Sequence, residues 1–458
     1  MSMSTAPQPP GDAAYRRDLG AGLALRWSTA ADLERLAALY GGVFREGPDA
    51  PPDAHVQTQV GDLMSGRHPL IAPTDFALVE DTASGAVVAA ACLMAQTWRY
   101  EGIPLPVGRP ELVASAPEYR DRGLMRAIFT LLHARSAARG DLALGITGIY
   151  HYFRQFGYEY ALDLSGGPDV ALSALPALDA DAAELYTLRP ATVADIPRLM
   201  ALYERQSADA AVSTGIDAAY WRWQLDGMAA ADIERPAVHM IVASGDAADQ
   251  PCGYVTTARL RPLLRDDDLE VLALAVEPEA PLPALAPALL RALGTLAPAA
   301  PEAPPLAHLV FTLGRGHPIY ALFGPRLAPT LRRRYAWYVR VPDLPGFVRH
   351  VAPALERRLA ASSAAGYSGA LRLDLYRGGL RLALERGRLV AVEEWRVPPW
   401  GEAQAGVPAL VFLQLLFGYQ GLDALRDAYP DVWTADDTSH AVLQGLFPAR
   451  PSWVQYLD

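Results

Sequence analysis

The sequence predicts a mixed α/β protein made of a duplicated domain followed by a smaller α+β tail. Three observations predict it: an internal repeat, apolar runs of strand length set between helical stretches, and a change of pattern after Tyr335. Residues 25–40 (LRWSTAADLERLAALY) and 188–203 (LRPATVADIPRLMALY) agree at ten of sixteen positions. Each copy reads as a short strand, a break at a Thr, and a helix with Leu recurring three and four apart, Asp32 or Asp195 sitting in its first turn where the helix dipole favours negative charge. Residues 76–79 and 87–94 are of strand length in the first copy, and 238–243 and 269–276 in the second. The segment 152–157 (YFRQFG) is echoed by 319–324 (IYALFG) at nearly the same offset. After Tyr335, residues 347–360 read as a helix. Residues 371–376, 380–384 and 389–392 read as consecutive strands joined by Arg-Gly turns, and 409–417 and 421–428 as further helices before the aromatic stretch 447–458.

Composition narrows the function classes. With 458 residues, half of them apolar and a fifth charged, the chain can bury more than one core. Even the apolar run 407–417 is short and broken by Pro408 and Gln414, so no membrane insertion is expected. The first twenty residues are rich in Pro, Ala and Ser without an apolar core and read as a disordered leader, which makes a cytoplasmic location the expectation. A net charge of -11 opposes the phosphate attraction that nucleic-acid binding needs, despite the basic run Arg332, Arg333 and Arg334. Cys92 and Cys252 lie far apart with no ligand pattern around them, and His133, His151 and His317 are isolated; no metal is expected.

The chemistry concentrates between residues 111 and 126. Residues 112–115 read as the end of a strand, Arg120-Asp121-Arg122-Gly123 as a turn, and 127–138 as a helix. Such a turn aims backbone N–H groups and the positive end of a helix at one point, a site for a pyrophosphate, with Gly123 permitting close approach and Arg120, Arg122 and Arg126 adding charge. An ordinary solvated turn is the alternative.

The run Arg120-Asp121-Arg122-Gly123-Leu124-Met125 resembles the phosphate loop of the GNAT acetyltransferases: Arg or Gln, two residues, Gly, one residue, Gly or Ala. Residues 152–158 resemble the family's aromatic-Tyr-x-x-x-Gly-aromatic segment at the right spacing. Met125 departs from the loop pattern in the manner of the enhanced-intracellular-survival (Eis) acetyltransferases, which have two tandem GNAT domains and a sterol-carrier-protein-like C-terminal domain. The resemblance implies a leader at 1–20, an acetyl-CoA-binding domain at 21–170, a degenerate second GNAT domain at 183–340 and a sterol-carrier-like domain at 345–458. It places Val113, Ala114 and Ser115 on the pantetheine arm of acetyl-CoA and Arg120 through Arg126 on its pyrophosphate, Asp121, Leu124 and Met125 included.

Transfer of acetyl to a small amine or a peptide amine needs a base and an acid. The resemblance implies a Tyr as acid, but Phe153 occupies that position, leaving Tyr152 as a substitute. It implies the terminal carboxylate of Asp458 as base, with a loose terminus the alternative and Glu111 the rival. A homo-oligomer, a hexamer in related proteins, is implied by resemblance alone. At the second copy's loop position, residues 283–288 (PALAPA) hold neither Arg nor Gly, so only the first half is expected to bind the cofactor. The competing reading is a non-catalytic acyl-CoA-binding or lipid-binding protein on the same fold.

Overall fold

The computed structural model describes residues 10–457 apart from residues 13, 179–180, 182, 233, 245–250, 259–266, 297–303, 315, 334 and 397–401. The first sheet is built from β1 (Arg16–Gly20), β2 (Leu23–Trp27), β3 (Phe76–Asp81), β4 (Val87–Tyr100), β5 (Ile103–Ser115), β6 (Ala143–Ile146) and β7 (Glu159–Ser165). Alternate β3 residues serve two cores. Phe76 and Leu78 pack under α1 (Leu33–Phe44) and α2 (Ala54–Leu63), while Ala77 and Val79 pack under α3 (Leu124–Arg139) on the opposite face. A strand covered on both sides has no polar alternation, which is why the sequence there reads as an unbroken apolar run. The stretch expected to be a leader gives way at Arg16, because β1 pairs with β2.

The second sheet comprises β8 (Pro168–Ala171), β9 (Tyr186–Pro190), β11 (Ala237–Ala243), β12 (Pro251–Ala258), β13 (Asp268–Val276), β14 (His308–Phe311) and β15 (Thr330–Leu331). Its helices are α4 (Ile196–Ser207), α5 (Ala218–Arg222) and α6 (Leu282–Gly294), and the short β10 (Val212–Thr214) crosses over to pair with β4 of the first sheet.

The repeated segments adopt one structure in atomic detail. Thr29 N and Oγ1 donate to Asp32 Oδ2 at 2.8 and 3.0 Å, and Thr192 makes the same two bonds to Asp195 at 2.8 and 3.0 Å. Arg26 grips Asp32 as Arg189 grips Asp195. Burial opposes ionisation of Asp32, but the Arg26 hydrogen bonds outweigh it and hold the carboxyl down at about 2; the Arg189 hydrogen bonds do the same for Asp195.

The two sheets exchange strands. β16 (Tyr335–Arg340), which follows β15 in sequence, inserts between β6 and β7, and β8, which follows β7, inserts between β14 and β15. The domain limits expected at 170 and 340 therefore do not coincide with the sheets, since each domain lends its last strand to the other.

The third sheet contains β17 (Gly369–Asp374), β18 (Gly379–Glu385), β19 (Arg388–Trp395), β20 (Ala405–Gly406) and β21 (Trp433–Thr434), packed with α7 (Leu344–Ala360), α8 (Ala409–Leu416), α9 (Leu422–Ala428) and α10 (Asp437–Leu446). Its core is continuous with Trp98, Tyr100 and Leu105 of the first sheet. Arg358 seals the joint by donating to Glu101 at 2.7 Å and to Tyr100 Oη at 2.9 Å. Among the described residues no helix is long and apolar enough to cross a membrane.

The exchange makes a prediction. A fragment of residues 14–176 lacks β16 and leaves β6 and β7 without their shared partner. Its circular-dichroism melt is expected to lack a cooperative transition, and fusing residues 332–342 through a flexible linker is expected to restore one. A sharp melt of the bare fragment would contradict the structural role of the exchanged strand.

Candidate active site

The site begins with a defect in the first sheet. β5 pairs with β4 along its length but with β6 only at Val107–Ala143 and Gly108–Leu144. From Arg109 onward β5 diverges from β6 and opens a notch. A bulge sits in the diverging stretch: Leu112 has φ +50°, and the register against β4 shifts between Ala90 and Cys92. Bulges bend a strand and re-aim its side chains next to active sites.

The loop after β5 is held from below. A turn at Pro117–Tyr119 is pinned to β3 by Tyr119 Oη donating to Asp81 at 2.9 Å. Asp121 at φ +59° and Gly123 at φ +74° then alternate with ordinary backbone, and α3 starts at Leu124 with no side chain capping its first turn. The first N–H groups of a helix lack intrahelical acceptors, and a left-handed residue before them curls the backbone into an anion-binding concavity. A Cβ on Gly123 would meet nothing within 4 Å, so the space over the loop is open and glycine is required there for its φ alone.

The notch, the loop and the segment Tyr152–Phe156 enclose one cleft of about 1400 Å³, open water included. Of the predicted cofactor residues, Val113, Ala114, Ser115, Arg120, Asp121, Gly123, Leu124, Met125 and Arg126 line it, and so does Tyr152. Arg122 does not. It turns back to donate to the Glu118 carbonyl at 2.9 Å and lies over the Tyr119 ring. Arg126 bridges α3 to the aromatic segment through Gln155 at 3.2 Å.

Phe153 is a core residue packed against Phe129 and Tyr338. Burial pushes the Tyr152 phenol up, which keeps it protonated and able to donate. Glu111 lies earlier on β5 with Oε2 taken by Arg109 Nη2 at 2.6 Å.

Sequence reasoning missed Arg109, whose side chain is fully buried. Besides Glu111 it donates to the Leu457 carbonyl, and its guanidinium lies 4.0 Å from the Tyr456 ring centre and 5.3 Å from that of Trp337. The C-terminal segment thus ends against β5. On the way Trp453 N donates to Val212 at 2.8 Å, Gln455 N to Thr214 Oγ1 at 2.8 Å, and Gln96 to the Leu457 carbonyl at 3.3 Å. Asp458 lies outside the described residues. A single Arg inside an apolar strand stretch (VGRPELV) is the signal that could have marked the clamp.

Residues 24–161 match the acetyltransferase (GNAT) domain family. No curated protein matches the chain. Among solved structures, a GCN5-related N-acetyltransferase from Anabaena variabilis aligns over 94% of this chain and 99% of its own at TM-score 0.64 and 16% identity. Eis1 from Mycobacterium abscessus aligns over 93% and 98% at TM-score 0.56 and 16% identity. The N-myristoyltransferase of Saccharomyces cerevisiae, solved with bound myristoyl-CoA, aligns over 73% and 87% at TM-score 0.50 and 12% identity. The GNAT match covers β2 to β6 with α1 to α3 and part of β7, and the chain is an acyltransferase by class.

The clamp generates a prediction. Arg109→Met leaves Glu111 without its cationic partner and the Leu457 carbonyl with Gln96 alone, and removing one partner of a buried ion pair costs about 3–5 kcal/mol. Urea unfolding is expected to register that loss, and carboxypeptidase is expected to trim the tail of the folded variant. Unchanged stability with a protected tail would show that Arg109 is not what fixes the C-terminus.

Proposed function

We propose that the chain is an acetyl-CoA-dependent N-acetyltransferase whose cofactor binds in the first domain and whose acceptor is a primary amine. The observation that supports it is the convergence of the strand notch, the uncapped start of α3 and the left-handed pair Asp121 and Gly123 on one cleft. In this reading the pantetheine arm lies along Val113–Ser115, whose edge β6 has left unpaired, and the pyrophosphate takes the N–H groups from Asp121 to Arg126. The acyl carbonyl is polarised by a backbone N–H of the splayed strand. A neutral amine attacks it, and the thiolate leaves as Tyr152 donates its proton.

The base is the terminal carboxylate of Asp458. Support comes from its neighbour: Leu457 is buried with its carbonyl on Arg109, so the chain end is carried to β5 beside Glu111. Glu111 itself is the alternative base, and its engagement with Arg109 favours a positioning role. A chain in the cytoplasm, assembled as a homo-oligomer, belongs to the same reading, as do the tandem-GNAT and sterol-carrier-like assignments of the second and third sheets. The second sheet lacks a phosphate loop. α6 follows Pro281 directly and contains Pro287, with neither a left-handed residue nor an Arg at its start.

The test is calorimetric titration with acetyl-CoA, followed by an amine-acceptor assay. One site per chain is expected. Gly123→Glu places a carboxylate and a disfavoured φ where the phosphates would sit, so it is expected to lower affinity at least 100-fold with the fold intact. Binding without transfer to any amine would instead favour an acyl-CoA carrier, and no binding would overturn both readings.

A further inference from the structure

The second sheet opens in the same way as the first. β13 pairs with β14 only from Asp268 to Val271, after which Leu272–Leu274 separate from Thr312–Gly314. No phosphate loop faces this second notch. The C-terminal segment lies along it, with Ser452 Oγ accepting from Asp163 N at 3.2 Å and Trp453 N bonded to Val212.

The space that remains is a cavity of about 850 Å³, part of it open to solvent. Its chemistry is one-sided: Asp163 and Glu234 line it, and among the described residues lining it there is no Arg, Lys or His. Phosphate groups, and hence the CoA moiety, have no partner here.

Gln224 supplies an independent sign of a ligand. It sits in a π-helical turn, Trp223–Gly227, a feature that recurs at functional sites. Its side chain lines the cavity, the residue is 7% exposed, and the buried Oε1 accepts no hydrogen bond. A buried acceptor without a donor is an unstable arrangement unless a donor arrives. Met228, Leu272 and the rings of Tyr220 and Tyr456 complete the walls with apolar and aromatic surface. Acceptor, carboxylates, aromatic faces and apolar walls together match an ammonium on an aliphatic body.

We propose that this cavity is a binding site for an aliphatic primary amine, separate from the first-domain cleft, with the ammonium donating to Gln224 Oε1 and the aliphatic part lying between Met228 and Leu272. Its occupancy is independent of acetyl-CoA. The wall formed by residues 452–456 belongs to the same segment that runs on to the Arg109 clamp, so a bound amine touches the tail directly.

The test is calorimetric titration of the full chain with 1,6-diaminohexane, with adipate as an anion of the same length. One diamine site per chain is expected, with or without acetyl-CoA, and no adipate binding. Gln224→Leu and Thr256→Phe, the latter filling the cavity from β12, are expected to weaken the diamine at least tenfold, with melting curves reporting that each variant is folded. Absence of diamine binding, equal binding of adipate, or a diamine affinity untouched in both folded variants would overturn the assignment. Failure of acetyl-CoA to bind in the separate titration would bear on the transferase reading alone.

Discussion

Arg109 is the point on which the arrangement depends. A guanidinium with no solvent contact is tolerated only when its charge is met, and here groups from three parts of the chain surround it: Glu111 on its own strand, the carbonyl of Leu457 and the ring of Tyr456 in the C-terminal segment, and the ring of Trp337 on the exchanged strand. The same cation therefore holds the divergent part of β5, the strand lent by the second domain and residues 456–457 in one place. Loss of Glu111 would leave the buried charge without its carboxylate partner, and the residue acts as a geometric lock between β5 and the C-terminal segment.

Duplication explains much of the remainder. Both sheets open at the strand preceding their long helix, and both receive a strand from the other. The copies differ in what faces the opening. In the first, Asp121 and Gly123 in left-handed conformation precede a helix start without a side-chain cap; in the second, Pro281 leads straight into the helix and the tail lies along the notch. One architecture thus supports two clefts of opposite electrostatic character.

The local parts of this account were legible in the sequence. The repeat at 25–40 and 188–203 folds identically because its Thr–Asp cap and Arg–Asp pair are made within seven residues of each other. The loop from Arg120 to Arg126 was legible because glycine reports its own φ requirement and the helix that follows reports its dipole. The hairpins of the third sheet were marked by their Arg-Gly turns. The strand exchange and the clamp were not legible, since Leu457 meets Arg109 across 348 positions and neither residue carries a local pattern that requires the other. The same limit hid the course of Arg122, whose side chain turns to the Glu118 carbonyl for reasons of loop geometry, and helix α10, which lies in a polar stretch without strong periodicity.

The placement of the chain end is the claim that joins the fold to the chemistry. The direct measurement is steady-state acetyl transfer by a chain lacking its last two residues, with acetyl-CoA affinity measured in parallel. The account predicts retained cofactor binding and a fall in kcat of at least 100-fold, the usual order for loss of a general base. Undiminished turnover in the shortened chain would contradict it and return the role of base to Glu111.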